Sequence, residues 1–361
     1  MSFSISKVDK IVGREMYLAD IDLHLESGSQ NVILGRTLAG KTTLLRIMAG
    51  LDRPSRGRIL ENGTDMTGVS VRKRNVAMVY QQFVNYPSLS VFHNIASPLK
   101  LAGLHKDVIA AKVRDTAAVL HIDHLLDRLP QELSGGQQQR TAIARALVKE
   151  ASLLLLDEPL VNLDYKLREE LRAELREIFG RRDSIVVYTT TEPSEALMLG
   201  GNLVVMHEGR VLQTGPAEEV YRRPATVRVA EILSDPPINV LRTRVDQTAA
   251  HLGEGLSVPL DGHLTGLPPG DYLFGVRSHH LFLNRQHPRD IELHARVELA
   301  EINGSETFIH LTYNGRPLVV QEEGVHQYRI GDAVSFFVRP RKFYIFGQEG
   351  ALVRAPLFED I

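Results

Sequence analysis

An α/β core on a mostly parallel sheet, followed by an all-β barrel, is predicted by three features of this sequence. Residues 35–43 (GRTLAGKTT) fit the pattern G-x-x-x-x-G-K-[ST], between an apolar run at 30–34 (QNVIL) and a helical pattern at 42–49 (TTLLRIMA). Further apolar strand patterns follow at 152–156 (SLLLL), which delivers Asp157 and Glu158 at its end, and at 184–190 (SIVVYTT). Past Pro236-Pro237 the texture changes to short strands punctuated by glycine and proline.

Taken in order, the first 34 residues alternate polar and apolar in short runs, as in 17–25 (YLADIDLHL), the pattern of antiparallel strands. Residues 50–63 carry Pro54 and Gly57 before a short strand, and Asn62-Gly63 reads as a tight turn. Residues 75–80 (NVAMVY) form another buried-strand candidate, ending at Gln81. From 91 to about 128 the pattern is helical with Gly103 as its interruption, which reads as an insertion into the core. Helices are expected at 141–149 and, amphipathic, at 165–179. Strands alternating with helices indicate a parallel sheet. The later strands, at 272–276, 294–299, 307–312 and 333–338, belong to the second domain.

The length, 361 residues, leaves room for two or three domains. A hydrophobic fraction of 43% with 24% charged residues is that of a soluble globular protein. A net charge of −2 lacks the basic excess of a nucleic-acid binder, so no nucleic-acid partner is expected. With no cysteine, disulfides, thiolate catalysis and cysteine-ligated zinc are excluded, and a reducing cytoplasm is suited. No run approaches the roughly 20 apolar residues that cross a bilayer, and residues 1–10 have no apolar signal core.

The loop at 35–43 aims backbone N–H groups and a helix dipole at a phosphate. Gly35, Arg36, Thr37, Leu38, Ala39, Gly40, Lys41, Thr42 and Thr43 are therefore candidate nucleotide ligands. Lys41 would reach the β- and γ-phosphates and the Thr42 hydroxyl would sit on Mg²⁺. Asp157 would hold the metal, and Glu158 would polarise the attacking water. A chance strand-turn-helix and a solvated acidic turn are the plain alternatives, and the two motifs together outweigh them. Ser134, Gly135, Gly136 and Gln137, in LSGGQ, open a helix whose N-terminus is suited to an anion. One nucleotide does not need two such helix ends from one chain, but a second chain can offer this one.

With these motifs in place the sequence resembles the ATP-binding subunits of ABC transporters, whose signature is LSGGQ. The resemblance implies a P-loop NTPase with a RecA-like core, an antiparallel β subdomain and a helical subdomain at about 88–145, all within residues 1–235. An OB-like (TOBE) regulatory barrel would occupy 236–361. It implies ATP and Mg²⁺, with two subunits paired head to tail so that each ATP lies between one P-loop and the other chain's signature. Gln81 matches the glutamine that contacts Mg²⁺ and senses the membrane subunits, and Asp164, in 161–164 (VNLD), the D-loop aspartate. Two membrane permease subunits, a periplasmic binding protein and a peripheral place on the cytoplasmic face of the inner membrane follow from the same resemblance. Residues 220–241 and 275–281 (GVRSHHL) are similar to the sugar-importer branch. The loop at 35–43 and residues 78–91 (MVYQQFVNYPSLSV) resemble importers of glycerol and related polyols, which use two distinct ATPase subunits.

The chain departs from the family pattern at Thr191, where a switch histidine normally stands, followed by Glu192 and Pro193. Threonine offers a hydroxyl but no cation near neutral pH, and Pro193 removes a backbone donor. The expectation is a weakened catalytic half-site within a heterodimer; the milder alternative is that Thr191 or a neighbour substitutes adequately, because Glu158 is intact. Leu38 stands in a loop whose relatives carry small residues and an extra glycine, so it is expected to alter how tightly the loop wraps phosphate. No aromatic is evident for stacking on adenine: Val12 falls near the expected place and Tyr17 is offset. Two rival readings are an ATP-binding regulatory partner with little turnover and a non-transport ABC ATPase. His279-His280 is expected in a strand with packing roles, Arg72-Lys73-Arg74 on a solvated edge, and Arg181-Arg182 beyond a helix C-terminus where positive charge favours the dipole.

Overall fold

The computed structural model describes residues 2–180, 183–253 and 256–356, so Arg181 and Arg182 lie outside the described residues. The chain divides into two compact units, Met1–Ala217 and Glu218–Ile361.

The first unit opens with β1 (Ser2–Val12) and β2 (Glu15–Glu26), an antiparallel pair whose inward residues alternate as the sequence pattern requires. β3 (Gln30–Leu34) enters a different, parallel sheet and leads through the phosphate-loop motif into α1 (Lys41–Ala49). The chain then returns to the first sheet with β4 (Arg56–Glu61) and β5 (Thr64–Asp65), giving the order β2-β1-β4-β5. Asn62 and Gly63 turn that hairpin with φ values of 50° and 78°, the left-handed pair that a two-residue turn demands. β6 (Val76–Val79) precedes three helices, α2 (Val91–Leu101), α3 (Lys106–Val119) and α4 (Gly135–Leu147). Asn94, fully buried in α2, donates to the carbonyls of Tyr86, Leu89 and Ser90 and accepts from the Tyr86 amide. One side chain thereby shapes the loop entering the helical block.

β7 (Leu153–Asp157), α5 (Tyr165–Gly180), β8 (Ile185–Thr190), α6 (Pro193–Leu199), β9 (Asn202–His207) and β10 (Arg210–Pro216) complete the unit. The second sheet has the order β10-β9-β3-β8-β7-β6, parallel throughout except for the edge hairpin of β9 and β10. β7 and β8 are buried at every residue, which is why they read as continuous apolar runs. A single core joins Phe3, Ile5 and Leu18 of the antiparallel sheet to Leu44 and Met48 of α1 and to Ile33, Leu155 and Val187 of the parallel one.

The second unit begins with α7 (Ala217–Arg222) and α8 (Val227–Ile232) and is otherwise all-β. Its strands are β11 (Asn239–Val245), β12 (Ala249–His251), β13 (Ser257–Pro259), β14 (Gly270–Val276) and β15 (Leu281–Phe282). They continue with β16 (Ile291–Asn303), β17 (Glu306–Tyr313), β18 (Arg316–Glu323), β19 (Ala333–Val338), β20 (Tyr344–Phe346) and β21 (Leu352–Arg354). Two antiparallel sheets, β13-β12-β11-β14-β20-β21 and β15-β19-β16-β17-β18, share a core that includes Phe274, Leu293, Ile309 and Phe336. This barrel-like arrangement matches the all-β expectation. Residues 218–235, which the sequence pattern groups with the preceding domain, pack here with the β unit. The buried Arg277 guanidinium explains it: it donates to the Tyr221 carbonyl (2.9 Å) and the Ser234 hydroxyl (2.5 Å) and stacks 3.7 Å from the Tyr221 ring centre.

Two local expectations need correction. His279 and His280 lie in a 3₁₀ turn (Ser278–His280), not a strand, and their rings stand 4.4 Å apart. Burial foremost, with the neighbouring His279 charge, pushes His280 down to about 3, so it is neutral at physiological pH. Arg74 is no solvated edge residue either. It is 7% exposed and donates to the carbonyls of Met48 (2.8 Å), Met66 (2.6 Å) and Val69 (3.0 Å), the first of these in the last turn of α1. Truncating it strands three carbonyls, so Arg74→Ala should lower stability by roughly 2–4 kcal/mol. Chemical denaturation measures this, and an unchanged midpoint would refute the capping role. Arg74→Lys should recover only part, because one nitrogen cannot span three carbonyls.

Candidate functional site

The phosphate loop is shaped by two glycines with no room for a side chain. A Cβ on Gly35 would meet the Met206 carbonyl oxygen at 2.6 Å; one on Gly40 would meet Leu18 Cδ2 at 2.8 Å and the Tyr17 carbonyl oxygen at 3.0 Å. Gly40 also has φ +97°, which favours glycine. It precedes α1, whose N-terminus has no side-chain cap, so first-turn amides are left to serve an incoming acceptor. Lys41 is 4% exposed; its Nζ donates to the carbonyls of Gly35 (2.7 Å) and Arg36 (3.2 Å) and lies 3.0 Å from Glu158 Oε1. Leu38 sits at the loop tip with φ +69° and a side chain 94% exposed, a conformation costing a leucine about 1–2 kcal/mol. Arg36 and Thr37 are likewise exposed, Ala39 is buried, and Thr43 is half-buried in α1.

Strand register brings the acidic pair to this loop. Asp157, the last residue of β7, is paired with Thr189 of β8, and Leu34 of β3 with Thr190. Asp157 is 2% exposed, and its Oδ1 accepts from the hydroxyls of Thr42 (3.1 Å) and Thr189 (3.0 Å). Burial raises its carboxyl above the ordinary aspartate value; the two hydroxyls and Lys41 oppose that rise. The Thr189 hydroxyl also accepts from the Glu158 amide at 3.0 Å, fixing the turn in which Glu158 has φ +43°. Thr189 escaped the sequence reading, since only pairing between distant strands reveals it.

Thr191, just past β8, lines a small cavity with Glu158, Arg168, Glu192 and Glu195. Thr191 and Glu158 thus share the wall of one cavity. The cation in this cavity wall is Arg168, ion-paired with Glu192, and its Nε is buried without a hydrogen-bond partner. Behind the wall, the Tyr188 hydroxyl donates to buried Glu195 at 2.8 Å. Neither Arg168 nor Glu195 carries a motif that sequence reading could isolate.

The other motif residues are placed differently. The Gln81 carbonyl accepts from Asn162 Nδ2 at 3.2 Å, tying the loop after β6 to residues 161–164. Asp164 caps α5 by accepting from the Leu167 amide at 3.0 Å. Ser134 and Gln137 form a reciprocal cap on α4: the Ser134 amide donates to Gln137 Oε1 (3.0 Å), and the Gln137 amide to Ser134 Oγ (3.4 Å). A Cβ on Gly136 would meet Leu167 Cδ2 at 1.9 Å, so that glycine allows α4 to approach α5, whereas Gly135 faces open space. These signature residues are therefore ordered by their own helices rather than by the phosphate loop. Val12 and Tyr17 are exposed beside the Gly13-Arg14 turn of the β1–β2 hairpin, as are Ile11 and Met16, which the sequence reading missed.

The raised Asp157 value yields a pH prediction. A positive ligand there requires the carboxylate, so affinity for a divalent cation at Asp157 should fall as pH drops through a midpoint above the ordinary 3.8. Thr189→Val removes one stabilising hydroxyl and should move that loss to higher pH. Divalent-cation titration across pH measures it; superimposed profiles would refute the role of Thr189.

The ABC transporter family profile matches residues 18–161, and the TOBE domain profile residues 274–346. The chain is 35% identical over 334 residues to the sn-glycerol-3-phosphate import ATP-binding protein UgpC of Psychromonas ingrahamii, covering 90% of this chain and 88% of that one. It is 35% identical over 363 residues to the protein of the same name from Cupriavidus metallidurans, covering 98% of each. Among solved structures, a dimeric post-hydrolysis state of the ATP-binding cassette MJ0796 bound to ADP and Pi aligns with a TM-score of 0.54 at 25% identity, covering 60% of this chain and 98% of that one. With the phosphate loop, the acidic strand end and the β unit arranged as described, this chain belongs to the family of ABC transporter ATP-binding subunits.

Proposed function

We propose that this chain is the ATP-hydrolysing subunit of an importer for glycerol 3-phosphate or a related polyol. The observation that carries the ATPase part is the convergence of Lys41, Thr42, Asp157, Glu158 and Thr189 at the ends of β3, β7 and β8. Open parallel sheets take ligands outside the carboxyl ends of their strands. The substrate part is supported by the names of the relatives and by their coverage of nearly the whole chain.

In this reading the first-turn amides of α1 and Lys41 hold the β- and γ-phosphates, and Ile11, Val12, Met16 and Tyr17 offer an exposed apolar surface to the base. The hard oxygens of Thr42 and Asp157, already 3.1 Å apart, suit Mg²⁺, with Gln81 as a further ligand. That ion would neutralise phosphate charge. Glu158 orients and polarises the attacking water, and its fixed backbone amide keeps the carboxylate at the loop. Ser134, Gly135, Gly136 and Gln137 serve the nucleotide of a second subunit, and Asp164 lies on that same dimer face. No helix is long and apolar enough to cross a membrane among the described residues, so membrane attachment falls to permease subunits, with a periplasmic binding protein selecting the substrate. Residues 236–361 act as the regulatory domain. The relatives lend no support to a different ATPase over a second copy of this chain as the dimer partner.

Thr191 presents a hydroxyl where a cation would otherwise order the water, so turnover is slow rather than absent. Steady-state ATP hydrolysis by the purified chain tests this beside two variants. Glu158→Gln should lower the rate by about 10²–10⁴-fold, and Thr191→His should raise it. A wild type that is silent in every pairing, or indifferent to Glu158→Gln, would defeat the ATPase role. A Thr191→His variant no faster than wild type would defeat the weakened switch.

A further inference from the structure

The second unit contains a cavity of about 670 Å³ between the segments 259–263, 287–291 and 339–341. Its size is that of a small-molecule site. Its walls are unusual in charge: Arg289, Arg339 and Arg341 line it with His287, against one carboxylate, Asp261.

The cluster is built by a buried acid. Asp290, 4% exposed, accepts from the amides of Gln286 (2.9 Å) and His287 (2.7 Å) through Oδ2 and from Arg339 Nε (2.9 Å) through Oδ1. This folds the 286–290 loop against the segment carrying Arg339 and spends Asp290 on structure. Only Nε of Arg339 is engaged by that carboxylate, which leaves the two terminal nitrogens of its fork outside the pair. His287 Nδ1 accepts from the Arg289 amide at 3.1 Å, which assigns its ring proton to Nε2, a donor. The Arg289 side chain makes no ion pair among the described residues. Guanidinium forks and an imidazole N–H in one cleft suit an oxyanion over a neutral group, and a phosphate monoester, with three terminal oxygens, occupies more of these donors than a carboxylate does.

We propose that this cavity binds a phosphate-bearing small molecule as an effector, with the phosphate held by Arg289, Arg339 and His287. The volume exceeds what inorganic phosphate fills. Pro259, Ile291 and Pro340 offer the rest of a ligand an apolar floor, and Asp261 accepts from a hydroxyl on it. The ligand class is therefore a hydroxylated phosphate monoester. This rests on the second unit alone and stands or falls independently of the importer reading.

Calorimetric titration of the full chain with glycerol 3-phosphate, inorganic phosphate and glycerol, at fixed ionic strength, tests it. The phosphate loop is a competing site, so each titration is repeated with that loop saturated by a non-hydrolysable ATP analogue. Glycerol 3-phosphate should still bind, glycerol should not, and Arg289→Glu, an exposed change, should weaken binding about tenfold or more. Inorganic phosphate binding as tightly as the ester, with the same dependence on Arg289, would support the anion site and make free phosphate its ligand. Loss of all binding once the analogue is present, or binding indifferent to Arg289→Glu, would overturn the proposal.

Discussion

The proposed ATP site depends on one buried carboxylate held in register. Asp157 sits at the end of a strand buried at every position, and a slip of one residue would put Leu156 opposite Thr189 and turn the acid away from α1. The ladder β3-β8-β7 therefore sets the geometry of the phosphate loop and the acidic pair together. Burial outweighs the two hydroxyls that stabilise the Asp157 anion, so its carboxyl is raised despite them. A buried carboxylate in that condition contributes little to folding. It gains most when a positive ligand arrives, which is the condition of a site selected for binding rather than for stability.

Around this centre, interactions that look catalytic and those that look structural overlap. Lys41 is bonded to two carbonyls of its own loop and paired with Glu158, so the loop is preorganised by the group proposed to meet the phosphate. Ser134 and Asp164 cap helices, and those caps hold exposed polar residues in fixed positions. The departures from the family pattern lie at the surface of this arrangement. Leu38 projects into solvent from a strained backbone, and Thr191, at the proposed switch position, lines a cavity whose cation is Arg168, itself held by Glu192. The strained, exposed Leu38 has no contact that explains it.

The second unit follows a different economy. Arg277, buried and stacked between Tyr221 and Tyr344, gathers the helical segment 218–235 onto the β-sheets, while Asp290 gathers a loop and a guanidinium at one rim. Both use a charged side chain as a hub for backbone groups. Removing either hub would leave several buried polar groups without partners.

By itself the sequence determined the elements and most of the chemistry. The phosphate-loop pattern between a strand and a helix, the apolar run ending in Asp157 and Glu158, the LSGGQ cap and the change of texture near Pro236 are local signals, each set by residue types at short spacing. The alternation of strands with helices likewise indicated the parallel core, whose strands, buried on both faces, read as apolar runs. What only the tertiary structure decided were contacts between residues far apart in the chain. Thr189 joins the site through pairing with β7 and Arg168 through the packing of α5, while Arg74 is buried on the carbonyls of Met48, Met66 and Val69. The His279-His280 turn and the attachment of residues 218–235 to the β unit belong to the same class, since burial and long-range hydrogen bonding overrode local texture. Hydrophobic period reports which face of an element is buried; it carries no record of which polar side chain closes on which distant carbonyl.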